Sequence, residues 1–180
     1  MRATQLLMEE HEIILRGLRV LGALADRAER GADVPARAVD EIIEFLIGFA
    51  DTHHHHKEEE ILFPALEVAG FPRDGGPVGV MLQEHDQGRG LIAALRQAAP
   101  QANSSPEARA RFATVARGYA QLLSAHIDKE NQVLFRMADQ AIPREDQRRV
   151  DEAFDGFERE FAARRALHEG GVERLSKELL

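Results

Sequence analysis

Cysteine and tryptophan are absent from the 180 residues of the sequence, and tyrosine occurs once. Without cysteine the chain can form neither disulfide bonds nor cysteine-bound iron-sulfur clusters, which is compatible with a reducing cytoplasm, where we expect the protein to reside. No apolar run reaches the roughly 18 residues that cross a bilayer, and the N-terminus leads directly into an amphipathic segment. We therefore expect neither a signal peptide nor a membrane span.

Positive charge is also scarce. Lysine and arginine number 23 against 31 aspartates and glutamates, which gives a net charge of -8, and the basic residues form no cluster. A nucleic-acid interface is therefore not expected. The chain is long enough for a single domain with a substantial core, and nothing in it identifies a protein partner.

Four long segments have apolar residues three and four positions apart, the spacing that is typical of a helix with one buried face. The predicted helices cover residues 5–30, 36–69, 78–99 and 106–139. Strand patterns are missing, and the connections between the segments are short. The sequence therefore predicts an all-α protein in which residues 1–141 form an up-down-up-down four-helix bundle.

Particular residues predict where these helices begin and bend. Thr4 should cap the first helix, and Ser105 followed by Pro106 should begin the fourth. Pro64 should kink or break the second helix, because proline has no backbone N–H to donate.

Residues 142–180 are expected to form a C-terminal helical extension that packs on the bundle. A fifth helix should cover residues 144–167, and the pair Gly170-Gly171 should separate it from a short last helix. The fifth helix has an aromatic stripe that should lie against the outside of the bundle or against a partner: Phe154, Phe157 and Phe161.

Two stretches of the sequence repeat one pattern of polar residues. His54 and Glu58 precede a Leu-Phe pair at the same offsets as His126 and Glu130 precede a second Leu-Phe pair. Because residues four apart share one side of a helix, each stretch places a histidine and a glutamate together. The repeat indicates a duplicated helix pair related by a pseudo-twofold.

A lone histidine precedes each of these pairs, His11 in the first half and His85 in the second. All four histidines and both glutamates fall within apolar stripes. An ionised carboxylate buried without a partner would instead take up a proton, so the two glutamates predict cations between them. Nitrogen and oxygen ligands suit iron, manganese or zinc. Six ligands are too many for one tetrahedral zinc and fit two metals, with Glu58 and Glu130 bridging.

The run from His53 to His56 leaves other interpretations open. His55 with Glu59 is an alternative register, and the run is also compatible with a solvated polar turn. We choose His54 because only its register repeats in the second half. Lys57, beside the first bridging glutamate, should face solvent.

Gly88 and Tyr119 lie on the same predicted apolar faces as the histidines. Gly88 follows His85 by one turn, so its missing side chain predicts room for a small ligand beside the metals, although close helix packing would also explain a glycine here. Tyr119 is two turns from His126 and is expected to be a core residue.

Taken in order, these histidines and glutamates resemble the hemerythrin-like, or HHE cation-binding, family over about residues 5–139. The resemblance implies a four-helix bundle around two non-haem irons beneath an oxo or hydroxo bridge, with the four histidines as terminal ligands. Oxygen-carrying hemerythrins have a second histidine four residues from the first on the third helix, where this chain has Met81 and Arg89. They also have an aspartate where this chain has Asn131. These departures argue against reversible oxygen storage.

The resemblance leads us to expect a module that binds or senses a small ligand, namely oxygen, nitric oxide or peroxide. One alternative is a di-iron enzyme that acts in peroxide or nitric oxide stress or in iron-centre repair, because relatives of the family include proteins that repair iron-sulfur clusters. The cysteine-bearing N-terminal extension that such proteins often have is absent here, which argues against repair. The other alternative is a structural bundle with incidental zinc.

Overall fold

Five helices and no strand make up the computed structural model, which describes all 180 residues. They are α1 (Arg2–Glu29), α2 (residues 36–68), α3 (Gly76–Ala98), α4 (residues 106–141) and α5 (Arg144–Leu179). Helices α1 and α3 pack extensively on α4, and α5 packs on α1 and α2. The prediction of an all-α bundle with an additional C-terminal helix is confirmed. No helix combines the length and apolar character that a bilayer span requires.

Helices α2 and α4 both contain wider, π-helical turns. The first runs from Ala36–Phe45 through π-helical Leu46–His55 and Glu58–Leu62 to Phe63–Val68. The second runs from Pro106–Lys129 through π-helical Glu130–Leu134 to Phe135–Ala141. A π-helical turn begins at each of the two predicted bridging glutamates, and such turns are frequent at functional sites.

Pro64 does not break α2, so of the predicted kink or break the break is absent. It lies in the first turn of the α-helical end of α2, directly after the π-helical turn. A missing N–H disturbs a helix least in its first turn, so the change of helical type accommodates the proline.

The start of α1 also differs from the prediction, whereas the start of α4 agrees with it. Ser105 accepts a hydrogen bond from the Ala108 N–H at 3.1 Å, as a cap should. Thr4, however, lies inside α1, and its hydroxyl donates to the Met1 carbonyl at 2.8 Å. A residue of another helix caps the first turn of α1, because the Ala3 N–H donates to the Asp151 carboxylate of α5 at 2.8 Å.

Helix α5 continues through Gly170 and Gly171 without a break. Glycine in a helix is unfavourable by about 1 kcal/mol relative to alanine, which does not forbid the helix. Val172 and Leu175, just beyond the glycines, are buried in the same apolar core as residues of α1 and α2, and this burial favours continuation. The aromatic stripe of α5 packs on the bundle, where Phe154 is buried.

Two apolar clusters fill the bundle, and a polar layer separates them. Along α1, Leu7 belongs to one cluster, Ile14 belongs to the other, and His11 lies between them. The same order recurs along α2, α3 and α4 at the histidines predicted from the sequence. The fold therefore collects these side chains into one layer across the bundle.

Candidate metal centre

The structure brings all six predicted metal ligands into this buried layer. Their residues are at most 1% exposed: His11, His54, Glu58, His85, His126 and Glu130. They form two groups of four with a shared member, and within each group the possible ligand atoms lie within 4.8 Å of one another. One group is His11, His54, Glu58 and Glu130, and the other is His55, Glu58, His85 and His126.

Each glutamate faces a histidine in both groups. Glu58 directs Oε1 towards His54 Nε2 and Oε2 towards His85 Nε2, each at 3.5 Å. Glu130 Oε2 lies 3.2 Å from the Nε2 atoms of both His11 and His126. Glu58 thus directs a different oxygen to each group, whereas Glu130 directs one oxygen to both, and each carboxylate is placed where it could bridge two ions.

His55 joins the layer although the sequence interpretation chose only the register of His54. It is 5% exposed, and its ring stacks on His85 at 3.9 Å between centroids. His54 and His55 both lie at the end of a π-helical stretch of α2, and the two neighbours belong to different ligand groups. The histidine run was the only signal for this residue, since helical periodicity with 3.6 residues per turn places neighbours about 100° apart.

The outer nitrogen of every histidine in the layer meets an oxygen atom of a neighbouring side chain. The Nδ1 partners are Asn131 for His11 (2.8 Å), Glu10 for His54 (2.8 Å), Asp51 for His55 (3.4 Å), Glu59 for His85 (2.7 Å) and Glu84 for His126 (2.9 Å). A carboxylate only accepts, so the histidine donates from Nδ1 and its Nε2 has a lone pair that points inward. Histidines that bind metals are oriented in this way.

These inward-facing atoms have no donors. No protein hydrogen bond reaches the Nε2 atoms of His11, His54 and His55 or the four carboxylate oxygens of Glu58 and Glu130. In addition, the Nε2 atoms of His85 and His126 face each other at 3.0 Å. Buried acceptors that converge without a donor are strongly unfavourable unless a cation lies between them, so the residues fit metal ions.

Comparison with known proteins agrees with this geometry. The family described as hemerythrin HHE cation binding domain matches residues 2–138. The chain belongs to this family. It is 34% identical over 88 residues to the iron-sulfur cluster repair protein YtfE of Escherichia coli O1:K1, covering 47% of this chain and 40% of that protein. Over 132 residues it is 30% identical to YtfE of Salmonella paratyphi B, covering 71% and 56%.

The hemerythrin-like chain thus spans about half the length of these curated relatives. No solved structure matches it.

Burial shifts the pKa of three groups in this hemerythrin-like centre. It lowers the pKa of His54 to about 4 and that of His55 well below its usual range, so both rings stay neutral. Burial, together with the neighbouring Glu130 carboxylate, raises the pKa of Glu58 well above its usual range. Neutral imidazoles are ready to bind a metal, and a cation offsets the unfavourable charge of Glu58.

A cavity of about 440 Å³ opens beside one of the two ligand groups. His55, His85 and His126 line it, whereas His11 and His54 do not. Gly88 also lines it, where the sequence predicted room for a ligand, and its ideal Cβ would come within 3.7 Å of the Tyr119 ring. We call the side of the hemerythrin-like centre with this cavity the open side and the side of His11 and His54 the closed side.

Lys57 corrects one expectation from the sequence, because it is fully buried instead of facing solvent. Its ammonium group donates to Glu10 of α1 and to Glu158 of α5. No local pattern predicts these contacts of Lys57, since Glu10 is next to His11 in an ordinary polar stretch and Glu158 follows Lys57 by 101 residues.

Proposed function

We propose that the protein holds two non-haem iron ions, joined by an oxo or hydroxo bridge, and binds oxygen, nitric oxide or peroxide in the cytoplasm. The observation that supports this most strongly is the shared Glu58, which faces two groups of buried acceptors that have no donors. In this proposal Glu58 and Glu130 bridge the ions. His11, His54, His85 and His126 are terminal ligands, and His55 is added to them.

Iron fits this donor set better than a single zinc would. The ligands are imidazole nitrogens and carboxylate oxygens, without sulfur, and they are too numerous for one tetrahedral ion. Manganese, or zinc at two positions, would fit the same donors. Iron would supply the redox chemistry that the binding of oxygen, nitric oxide or peroxide requires.

The cavity supports a role for the open side of the centre in ligand binding. A small molecule that enters it reaches His55, His85 and His126 directly. Gly88 leaves space there, and burial raises the pKa of Tyr119, so the cavity wall contains a neutral phenol. Arg89 donates to Glu59 at 2.6 Å and thereby holds the carboxylate that accepts from His85.

Repair of iron-sulfur clusters is the second candidate function. It is favoured by the similarity to YtfE proteins, which at 30% identity extends over 71% of this chain. Both candidates use the same di-iron centre. They differ in whether the centre turns over a substrate or acts on a damaged iron-sulfur protein.

Metal analysis and spectroscopy of the aerobically purified protein test the proposal. We expect two irons per chain and an absorption band that changes when nitric oxide or peroxide is added. A reversible change without turnover supports the binding module, and reactivation of a damaged iron-sulfur protein supports repair. One tightly bound zinc per chain, with no response to either ligand, would overturn both.

Blocking the cavity tests the location of the ligand. Gly88→Leu should keep both irons and lose most of the spectral response to nitric oxide, because the leucine fills the space beside His85. Gly90→Leu is the matched control, since a side chain at Gly90 on the same helix meets open space. Equal responses in the two variants would contradict this location.

A further inference from the structure

The Glu10 carboxylate links His54, on the closed side of the centre, to charged residues outside the metal-ligand layer. Glu10 Oε2 accepts from His54 Nδ1 at 2.8 Å, and its other oxygen, Oε1, accepts from Lys57. Lys57 follows His54 by three residues, so both reach the same carboxylate from one helix. Glu10 therefore sets the orientation of a proposed metal ligand.

The second half of the bundle repeats this arrangement. Glu84 Oε2 accepts from His126 Nδ1 at 2.9 Å, and its Oε1 accepts from Lys129, again three residues after the histidine. The duplication seen in the sequence thus extends beyond the ligands to their hydrogen-bond partners. This repeat gives His54 and His126 similar surroundings, although the two metal positions differ elsewhere, since His55 belongs to one ligand group only.

The two copies differ sharply in exposure to solvent. The side chains of Glu10 and Lys57 are completely buried, whereas those of Glu84 and Lys129 are 15% and 44% exposed. The reason is α5, which packs on α1 and α2 and contributes Glu158 and Arg165 to the first copy only.

These two residues of α5 complete a network of charges around Glu10 and Lys57. Arg165 donates to Glu158 at 2.7 Å and to Glu10 at 3.3 Å, while Lys57 donates to both carboxylates. Arg165 also donates to Glu169 of the same helix at 2.7 Å. The contact between Lys57 and Glu10 within the network is fully buried, so it is stronger than the partly exposed contact between Lys129 and Glu84.

The network is not a third metal site. Glu10, His53 and Glu158 do lie close enough to hold an ion. The Lys57 ammonium group, however, already contacts both carboxylates and lies 3.3 Å from His53 Nε2. The lysine takes the place that a metal cation would need.

We propose that Glu158 and Arg165 are positioning residues that make His54 a different ligand from its counterpart His126 and so add to the difference between the two metal positions. They fix how strongly Glu10 accepts from His54, and the strength of that bond tunes the histidine as a ligand. Both residues lie outside residues 2–138, which match the family, so the C-terminal helix adds this asymmetry to a duplicated bundle. The inference rests on the proposed di-iron function.

Opposite charge changes in α5 test the inference. Arg165→Gln leaves Glu10 more negative, so the reduction potential of one iron should shift downward, because the oxidised ion is stabilised. Glu158→Gln turns Lys57 and Arg165 towards Glu10, so the potential of that iron should shift upward. The other one-electron step of the bridged pair should shift less, and Arg165→Lys should restore most of the original value.

Arg174→Gln is the control, because Arg174 connects α5 to Glu41 of α2 in a separate ion pair. Iron-loaded, full-length variants are compared by spectroelectrochemical titration, with thermal melting to show that each remains folded. Shifts in the same direction for Arg165→Gln and Glu158→Gln, or shifts equal to that of Arg174→Gln, would overturn the inference. Metal analysis of the unmodified protein tests the proposed function separately. If that protein lacks two irons, the proposed function is wrong, whereas two irons with the wrong pattern of shifts would contradict the inference alone.

Discussion

Glu58 is the residue that belongs to both ligand groups. Its two oxygens face His54 on the closed side and His85 on the open side, and neither has a donor. A buried carboxylate without a partner destabilises a fold by several kcal/mol, so its presence in the core is explained by the ions that it would bridge.

The histidine run allows a sharp test of individual ligands. His55→Ala should lower the iron content from about two ions per chain towards one, because His55 belongs to the open ligand group. His56→Ala is the matched control, since His56 is the exposed member of the run and contacts Phe157 outside the layer. The iron-to-protein ratio is the measurement. Equal ratios in the two variants would mean that His54 is the only residue of the histidine run that binds iron.

The sequence repeat predicted the placement of those site residues that occur in both halves, and it did not predict the placement of those that occur in one half. His54 and His126 stand at matching offsets from their glutamates, so periodicity placed them in the layer. The inward direction of His55 depends on a π-helical turn, which a 3.6-residue period does not contain. The burial of Lys57 depends on Glu158 from a helix 101 residues later, and no local pattern encodes that contact.

At the scale of helices, α-helical periodicity identified all four helices of the bundle, and local signals misplaced some of their ends. Tertiary contacts explain the differences. Asp151 of α5 supplies the first-turn acceptor that made Thr4 unnecessary as a cap, and the burial of Val172 outweighs the two glycines before it. A capping or breaking residue predicts a helix end only where no distant residue competes.

Two glycines of α1 test the packing of the helices. Gly17→Ala should destabilise the protein by about 1–2 kcal/mol, because its Cβ would lie 2.4 Å from the buried Phe45 ring. Gly22→Ala should stabilise it by about 0.5–1 kcal/mol, because the nearest atom is 3.8 Å away and alanine favours a helix. Denaturant unfolding of metal-loaded protein measures both. Destabilisation of equal size in the two variants would contradict the close α1–α2 approach at Gly17.

At the scale of the whole molecule, charged contacts attach α5 to the bundle. Burial opposes the ionisation of Glu158, but hydrogen bonds from His53, Lys57 and Arg165 outweigh it and lower the pKa of Glu158 to about 2. A carboxylate with a lowered pKa stabilises the folded state fully above its unfolded pKa and loses that effect as the pH falls.

Acid should therefore loosen the molecule in part through Glu158. Between about pH 4.5 and pH 2 the melting temperature should fall more steeply in the unmodified protein than in Glu158→Gln, which has no carboxylate to protonate there. Glu178→Gln, on the exposed side of α5, should keep the original slope. Chelated samples are compared, so that metal release does not contribute. Parallel curves for the unmodified protein and Glu158→Gln would contradict the role of this carboxylate.

Metal removal should weaken the whole fold. Ions that bind the folded state at 100 times their dissociation constant stabilise it by about 2.7 kcal/mol, which corresponds to roughly 5–10 °C in melting temperature for a chain of this size. Calorimetry with and without a chelator measures the difference. An unchanged melting temperature would mean that the layer is stable without cations.

The iron content of the Glu58→Ala, Glu130→Ala double variant tests the central claim most directly. Elemental analysis of the unmodified protein should give two irons per chain, and the double variant should give none, because both bridging carboxylates are gone. Retention of two irons by the double variant would contradict the bridged centre on which the proposed function depends.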